Sequence, residues 1–353
     1  MKRIRKNGGT NLTLDSRPFR QTLGIIIFVL AAAFSGAAAA SAVEVRQLSL
    51  EELKAKYELP NSQYIDIDGV KIHFVDEGSG PTVVLAHASY LNLQAWNGVA
   101  AELKKKYRVV RFDFPAAGLS GFETKPVPPE KFDLIERNTE ILAGFADTLK
   151  LDEFSLVGTS SGGSVTFRYA ARHPDRISRL LLINSAGMPR TPQTDPLRER
   201  LKFEKWAEMD VRPKEFWALG YSETFIAPHK VPEWLLDQVY DFNRRKNQRA
   251  NNRETYRFST GDPKAILANI RAPTLIMWGL DNPVVMHLEA DVIEHWMTGA
   301  LTLVRKYDGL GHYPYVEDQK TILKDFEAFL AGELDDQFRQ TARLKPSSDC
   351  LDD

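Results

Sequence analysis

Short apolar runs alternate with helix-patterned stretches through most of the chain between residues 64 and 331. Compact apolar runs predict buried strands, and apolar residues spaced three and four apart predict helices between them. The predicted strands are 64–67, 70–75, 82–86, 108–112, 154–157, 180–184, 274–278 and 302–307. The predicted helices are 96–105, 133–149, 161–173, 284–297 and 320–330. This alternation is typical of an α/β fold whose mostly parallel sheet carries helices on both faces.

The order of the segments predicts a core in two halves with an insertion between them. The first two strands flank Asp68-Gly69, a tight hairpin signal. Residues 189–262 contain tryptophans, phenylalanines, prolines and charges without a buried-strand pattern, and we interpret them as a helical cap. The core halves are then 64–188 and 263–331. Residues 43–63 form a leader, and 332–353 are predicted to be a polar, frayed tail.

Residues 1–42 differ from the rest of the chain. Six basic residues precede or flank a short apolar run at 23–34, and the segment ends Ala-Ser-Ala at residues 40–42. This pattern predicts a secretory signal peptide cleaved after Ala42, and so an exported, periplasmic or secreted protein. The alternative is an uncleaved anchor, with membrane association through residues 23–43.

Composition excludes several classes of site. The net charge of −1 gives no reason to expect nucleic acid as a partner. The single cysteine, Cys350, excludes a disulfide framework and a structural zinc site made of cysteines. The sequence shows no cluster of metal ligands and no phosphate-cradling loop, and Gly162-Gly163 lacks the spacing of a dinucleotide fingerprint, so we expect no cofactor and no metal.

The strongest chemical signal is Gly-Thr-Ser-Ser-Gly at residues 158–162, at a predicted strand-to-helix junction. A small residue on each side of Ser160, two positions away, permits a turn so sharp that the serine projects from it. Such a serine is a candidate nucleophile if a base lies near. Ser161 is a rival, but one of its flanking residues is the bulkier, β-branched Thr159, so the turn favours Ser160.

A serine nucleophile needs a base and a group that orients the base. His312 is the best candidate base, because it lies in a glycine-rich turn directly after the last predicted strand. Asp281 likewise follows a predicted strand and is the candidate orienting carboxylate. Asn184 also follows a strand but carries no charge, so it does not compete as the acid.

The order Ser160, Asp281, His312 and the turns that carry these residues resemble the α/β-hydrolase superfamily. The likeness extends from residue 64 to about 331. It implies an eight-stranded, mostly parallel sheet with a helical cap inserted after the sixth strand. Within the superfamily, the chain looks most like cap-bearing esterases and lipases, and it is also similar to carbon–carbon bond hydrolases.

The resemblance also implies roles for two further segments. The backbone N–H groups of Ser89 and Ser161 are the expected oxyanion hole, although Ala88 replaces the usual glycine in that loop. Residues 113–120 are expected to be a structural loop, with Asp113 placed too early in the chain to be the acid. Since serine rather than aspartate occupies position 160, epoxide hydrolases and haloalkane dehalogenases are rejected.

We therefore expect a serine hydrolase acting through an acyl-enzyme on a small-molecule ester with an apolar acyl or alcohol group. One alternative is a carbon–carbon bond hydrolase of ketone-bearing ring-cleavage products. Another is a catalytically silent ligand-binding protein on the same fold. The cap also contains a basic run at 244–253, which is either a solvated helix face or a site for an anionic substrate group.

Overall fold

Eight strands form one sheet in a computed structural model that describes residues 45–124, 132–189, 211–225, 229–247 and 261–344. The strands are β1 (Ser62–Ile67), β2 (Val70–Gly78), β3 (Thr82–Ala86), β4 (Arg108–Phe112), β5 (Phe154–Thr159), β6 (Ile177–Ile183), β7 (Thr274–Gly279) and β8 (Thr302–Tyr307). Their order across the sheet is β1-β2-β4-β3-β5-β6-β7-β8. Pairing is antiparallel between β1 and β2 and between β2 and β4, and parallel in the other pairs. The predicted eight-stranded, mostly parallel sheet is confirmed.

Helices lie on both faces of the sheet. They are α1 (Leu50–Tyr57), α2 (Asn97–Leu103), α3 (Leu134–Thr148), α4 (Ser161–Arg172), α5 (Lys214–Ser222), α6 (Glu233–Asn243), α7 (Pro263–Ala268), α8 (Leu288–Trp296), α9 (Pro314–Glu317), α10 (Gln319–Leu330) and α11 (Asp335–Leu344). One apolar cluster joins the sheet to α3, α4, α7 and α8, and a second joins it to α2, α5, α6, α10 and α11. Each helix buries one apolar face, which is the reason for the spacing seen in the sequence.

The topology brings the loops of interest to one edge. The carboxyl ends of the parallel strands β3 to β8 lie at the same edge of the sheet, and in open α/β folds that edge is where ligands bind. The loops after β3, β5, β7 and β8 carry residues 89, 160, 281 and 312. Helices α5 and α6 lie in the interval that the sequence predicts to be the cap. Residues 190–210, 226–228 and 248–260 of that interval lie outside the described residues.

The prediction of a frayed tail after residue 332 is corrected by α11. Phe338 on this helix is 1% exposed, and its ring stacks on Phe329 with centroids 5.5 Å apart. Asp335 in its first turn forms an ion pair with Arg179 at 2.9 Å. The apolar positions Leu334 and Phe338 are four residues apart, so one helical face docks although the segment is otherwise polar.

Within the part of the chain that the structure describes, no helix has both the length and the apolarity needed to cross a bilayer. The predicted signal or anchor segment, residues 1–42, lies outside the described residues, and its export role stays a prediction.

Candidate active site

Ser160 lies in the turn between β5 and α4, where its backbone is strained. Its φ of 51° and ψ of −122° fall in a region that residues with side chains rarely adopt. A Cβ added to Gly158 would lie 2.3 Å from Oγ1 of Thr166. One added to Gly162 would lie 2.5 Å from the carbonyl oxygen of His87. The small flanking residues are therefore required by close backbone approach, as the sequence pattern predicts.

The neighbouring strand holds this turn in place. The N–H of Ser160 donates to the carbonyl of Ile183 at 3.1 Å, and the carbonyl of Ser160 accepts the N–H of Ala186 at 2.9 Å. Ser161 begins α4, and its hydroxyl accepts a hydrogen bond from the hydroxyl of Ser89 at 2.8 Å. Of the two adjacent serines, only Ser160 combines a strained backbone with a hydroxyl that no described residue engages.

The loop that carries His312 is fixed to both the core and the cap by its backbone. The N–H of His312 donates to the carbonyl of Thr224, just after α5, at 2.9 Å. Nδ2 of Asn184 donates to the carbonyls of Gly311 and His312, both at 2.9 Å, and its Oδ1 accepts the N–H of Gly279 at 3.0 Å. Asn184 thus ties the ends of β6 and β7 to the histidine loop. No pattern in the sequence indicates this positioning role of Asn184.

The group behind the imidazole is the amide of Asn282. Nδ1 of His312 lies 3.1 Å from Oδ1 of Asn282. The same oxygen accepts the N–H groups of Val284 at 2.9 Å and Val285 at 3.3 Å. Because these two backbone donors identify the atom as the amide oxygen, Nδ1 of His312 must carry the proton. Nε2 is then unprotonated and can accept a proton, as a general base must.

The structure corrects the prediction that Asp281 orients the imidazole. Asp281 is exposed, and its Oδ2 accepts the N–H of Gly309 at 2.9 Å. The turn after β7 explains the difference. The N–H of Asn282 donates to the carbonyl of Gly279 at 3.3 Å, so the chain reverses there. Residue 282 therefore points to the buried side, and residue 281 points toward solvent.

Burial dominates the electrostatics of His312. The residue is 2% exposed, and desolvation lowers the pKa of its imidazole to about 3. A carboxylate at hydrogen-bonding distance would oppose this shift by stabilising the imidazolium, but the neutral amide of Asn282 does not. The imidazole is therefore uncharged near neutral pH, and the same burial makes it a weaker base than an exposed imidazole.

Ser160 and His312 lie at the same edge of the sheet and are linked through the end of β6. Ile183 accepts the N–H of Ser160, and the next residue, Asn184, donates to the carbonyl of His312. The structure shows no hydrogen bond between Oγ of Ser160 and the imidazole of His312. Such bonds are often long in resting enzymes and shorten when substrate binds. The two groups are thus a candidate nucleophile and base.

Ser89 and Ser161, the expected oxyanion residues, lie side by side. Ser161 opens α4, so its N–H is among those that a helix leaves without an intrahelical partner. His87 holds the loop of Ser89, because its Nδ1 donates to the carbonyl of Ala88 at 2.8 Å and its Nε2 accepts the N–H of Phe114 at 3.1 Å. Burial lowers the pKa of His87, so its ring stays neutral and can make both contacts.

Comparison with known proteins gives the family. The sequence profile described as alpha/beta hydrolase fold matches residues 81–319. This chain belongs to the α/β-hydrolase family. It is 24% identical over 287 residues to the 2-hydroxy-6-oxo-2,4-heptadienoate hydrolase of Pseudomonas putida, which covers 75% of this chain and 94% of that protein.

Other proteins similar to this α/β hydrolase have the names of lipid-ester hydrolases. It is 26% identical over 271 residues to the monoacylglycerol lipase abhd6-B of Xenopus laevis, covering 72% of this chain and 77% of the relative. The crystal structure of a membrane phospholipase A, described as a bacterial virulence factor, superposes with a TM-score of 0.63 at 25% identity, covering 77% of this chain and 86% of that one. The relatives thus support a hydrolase and leave its substrate class open.

A hydrogen-bonded Ser-His-Asp group that does not include Ser160 joins β1, β2 and the loop after β4. Oγ of Ser62 lies 2.7 Å from Nε2 of His73, and Nδ1 of His73 lies 2.7 Å from Oδ2 of Asp113. Asp113 also accepts the N–H groups of Leu93 at 2.7 Å and Leu119 at 2.9 Å. We call Ser62, His73 and Asp113 the structural triad. Its contacts anchor the loop after β4, in agreement with the interpretation of residues 113–120 as structural.

Two of the three described basic residues in the run, Arg244 and Arg245, make internal contacts, and the third, Lys246, is exposed. Arg244 forms an ion pair with Asp241 at 2.6 Å. Arg245 is 4% exposed and donates to the carbonyl of Ser120 at 2.6 Å. The guanidinium of Arg245 joins the cap to the core, and that of Arg244 also donates to the carbonyl of Arg46 at 3.0 Å. Neither side chain is therefore part of a solvated face or a free site for a substrate anion. Residues 248–253 of the run lie outside the described residues.

Helix α5 contributes aromatic side chains near the loops of both candidate groups. The ring of Trp217 packs against that of Tyr90, next to Ser89, with centroids 5.4 Å apart. Tyr221, one turn later, stacks on Tyr313, next to His312, at 5.7 Å and an interplanar angle of 6°. The surroundings of the site are therefore largely apolar and aromatic.

Proposed function

We propose that this α/β hydrolase is a serine esterase that cleaves uncharged carboxylic esters, with Ser160 as nucleophile and His312 as base. The observation that carries the proposal is a serine held in a strained turn at the same sheet edge as an imidazole whose Nε2 is unprotonated. Strain of this kind, of the order of 1–3 kcal/mol, persists in native structures mainly at functional sites.

The mechanism follows from these groups. Oγ of Ser160 attacks the ester carbonyl carbon while its proton moves to Nε2 of His312. The N–H groups of Ser89 and Ser161 stabilise the oxyanion. As the ester C–O bond breaks, His312 returns the proton to the leaving alcohol. Water then attacks the acyl-enzyme, giving one proton to His312, and the carboxylic acid leaves as Oγ of Ser160 regains its proton.

Asn282 acts in this proposal as a positioning residue. Its oxygen holds the Nδ1–H tautomer, so the geometry of a base is provided without a carboxylate. Its dipole stabilises the transient imidazolium less than a full negative charge does. We therefore propose a slower enzyme than one with a carboxylate at this position. The same feature favours the binding-protein alternative, which predicts no covalent chemistry at Ser160.

The surroundings support an uncharged, apolar substrate. Arg244 and Arg245 of the cap are occupied by Asp241 and by the carbonyl of Ser120, so they are not available to a substrate carboxylate. The rings of Trp217 and Tyr221 favour burial of an apolar acyl or alcohol group.

Carbon–carbon bond cleavage is the second candidate. It is favoured by the relative from Pseudomonas putida and by a 2-hydroxy-6-oxononadienedioate/2-hydroxy-6-oxononatrienedioate hydrolase of Burkholderia vietnamiensis, 27% identical over 241 residues. Those names describe acids, whose carboxylates need cationic partners when they are buried.

A substrate screen separates the candidates. The protein is assayed with p-nitrophenyl esters of graded acyl length and with a coloured 2-hydroxy-6-oxo-dienoate. Ester hydrolysis without bleaching of the dienoate is expected. Bleaching with a kcat/KM above that of every ester would replace the esterase proposal by the second candidate.

A further inference from the structure

A small cavity beside the candidate oxyanion loop contains a buried amide. The cavity has a volume of ≈ 100 Å³, and Ser89, Ser161 and Asn138 are among the residues that line it. Ser160 and His312 are not among the residues that line it. The cavity is next to the candidate catalytic groups because Ser161, which follows Ser160, is part of its wall. Asn138 lies on α3 and is 7% exposed.

The amide of Asn138 has no hydrogen-bond partner among the residues that the structure describes. Its Oδ1 is buried without a hydrogen bond, and no described residue bonds to its Nδ2. The other amide at this cavity, that of Asn243, donates to the carbonyls of Tyr90 at 3.2 Å and Val239 at 2.8 Å. A buried amide that stays unsatisfied destabilises a fold, so structural stability does not account for asparagine at position 138.

The lining restricts what the cavity can bind. None of the described residues that line it is a lysine, arginine, aspartate or glutamate, and much of the described wall is apolar, including Leu91, Phe114, Leu134 and Phe242. A charged group would be desolvated there without a countercharge. The volume exceeds that of one water and is below the roughly 150 Å³ that holds benzene. The cavity therefore fits a short, uncharged group.

We propose that this cavity is a substrate subsite in which Asn138 binds a hydroxyl group on a short uncharged arm of the ester. The inference rests on the proposed esterase function and adds to it the chemistry of the substrate. A hydroxyl both donates and accepts, and so does the amide of Asn138, so the two can satisfy each other. The hydroxyls of Ser89 and Ser161 at the same cavity supply further polar contacts.

Matched ester pairs test the subsite. The acyl side is probed with p-nitrophenyl 3-hydroxybutyrate against p-nitrophenyl butyrate, and the alcohol side with glycerol monobutyrate against propyl butyrate. The native enzyme is expected to prefer the hydroxylated member of one pair by about 10-fold in kcat/KM. In Asn138→Leu the preference disappears while the rate on the other member stays within about 2-fold. Asn269→Leu changes an exposed asparagine directly after helix α7 and keeps the preference.

A binding measurement separates failure of the subsite from failure of the esterase proposal. Propane-1,2-diol is expected to raise the melting temperature more than 1-propanol in the native protein and equally in Asn138→Leu. Without ligand, Asn138→Leu should melt higher, since it removes an unsatisfied amide. Equal ester preferences, or equal diol shifts, in the native protein and Asn138→Leu would overturn the subsite. Absence of all ester hydrolysis with an intact diol shift would overturn the esterase proposal alone.

Discussion

Two buried histidines of this α/β hydrolase have opposite surroundings. His73 lies between the hydroxyl of Ser62 and the carboxylate of Asp113, with 2.7 Å on each side. His312 faces the amide of Asn282 and makes no hydrogen bond to Ser160 among the described residues. By side-chain type, the structural triad is the more complete catalytic set.

The backbone reverses that ranking. Ser62 begins the strand β1, and its hydroxyl also accepts the N–H of Leu59 at 3.0 Å. Ser160 lies instead in a strained turn at the start of a helix, beside backbone donors that can face an oxyanion. The proposed function therefore rests on turn strain and free N–H groups at Ser160 rather than on the residue types around a histidine.

Removing each serine hydroxyl in turn tests most directly which of the two histidines belongs to the active site. Ser160→Ala should lower kcat for p-nitrophenyl butyrate by about 10³–10⁶-fold, because the attacking atom is lost. Ser62→Ala should stay within about 2-fold of the native rate. Circular dichroism checks that both variants are folded. If Ser160→Ala kept the native rate and Ser62→Ala lost it, the active site would be the structural triad.

Asp113→Asn should act on stability and leave the chemistry alone. Removing the charge of this buried carboxylate, which accepts hydrogen bonds from His73, Leu93 and Leu119, should cost about 1–3 kcal/mol of unfolding free energy, measured here by urea denaturation. Burial acts to raise the pKa of Asp113, but His73 and the backbone donors hold it below its usual range. The stabilisation is therefore present above the unfolded-state value of about 3.9 and is lost as the pH falls through the folded pKa.

The matched control is Asp281→Asn, at the exposed carboxylate. It should change the unfolding free energy by less than about 1 kcal/mol and leave kcat unchanged. A large loss of kcat in Asp281→Asn would restore that residue as the orienting acid and contradict the role given to Asn282.

Asn282→Asp tests the effect of the neutral amide, because it gives His312 a carboxylate partner like that of His73. The new carboxylate would accept the same N–H groups of Val284 and Val285 and stabilise the imidazolium of His312. We expect kcat to rise by about 10–100-fold, within the roughly 10⁴-fold loss known for the reverse change in serine proteases. A fall in kcat in a folded variant would show that the site does not use its imidazole as proposed.

The pH dependence gives the smallest of these effects. Because the pKa of His312 is lowered to about 3, kcat/KM should stay nearly constant from pH 8 to pH 5. An ordinary imidazole with a pKa of about 6.5 would lose roughly 30-fold over that range. In Asn282→Asp, the carboxylate raises the histidine pKa, so an acid limb should move into the measurable range. An inflection near pH 6.5 in the native enzyme would contradict the buried neutral base.

Much of the fold was predictable because its determinants are local. Buried parallel strands must be apolar on both faces, which makes runs such as 180–184 visible in the sequence. The turn at Ser160 was predictable for the same reason, since Gly158 and Gly162 are its immediate neighbours and only small residues fit there.

The parts that were not predictable depend on contacts between distant segments. Asp281 and Asn282 are adjacent, and the contact with His312 is decided by hydrogen bonds within the turn after β7 and by the position of a loop thirty residues later. Phe338 docks α11 although its segment is polar, because the matching surface is Phe329. The structural triad joins β1, β2 and the end of β4, a pairing that no spacing in the sequence reveals.

The most direct test of the central claim is covalent labelling of the native protein with a fluorophosphonate probe, followed by mass spectrometry of the peptides. A nucleophile at the strained turn predicts one adduct, on Ser160, that persists in Ser62→Ala. Absence of an adduct, or an adduct on Ser161 or Ser62, would contradict it.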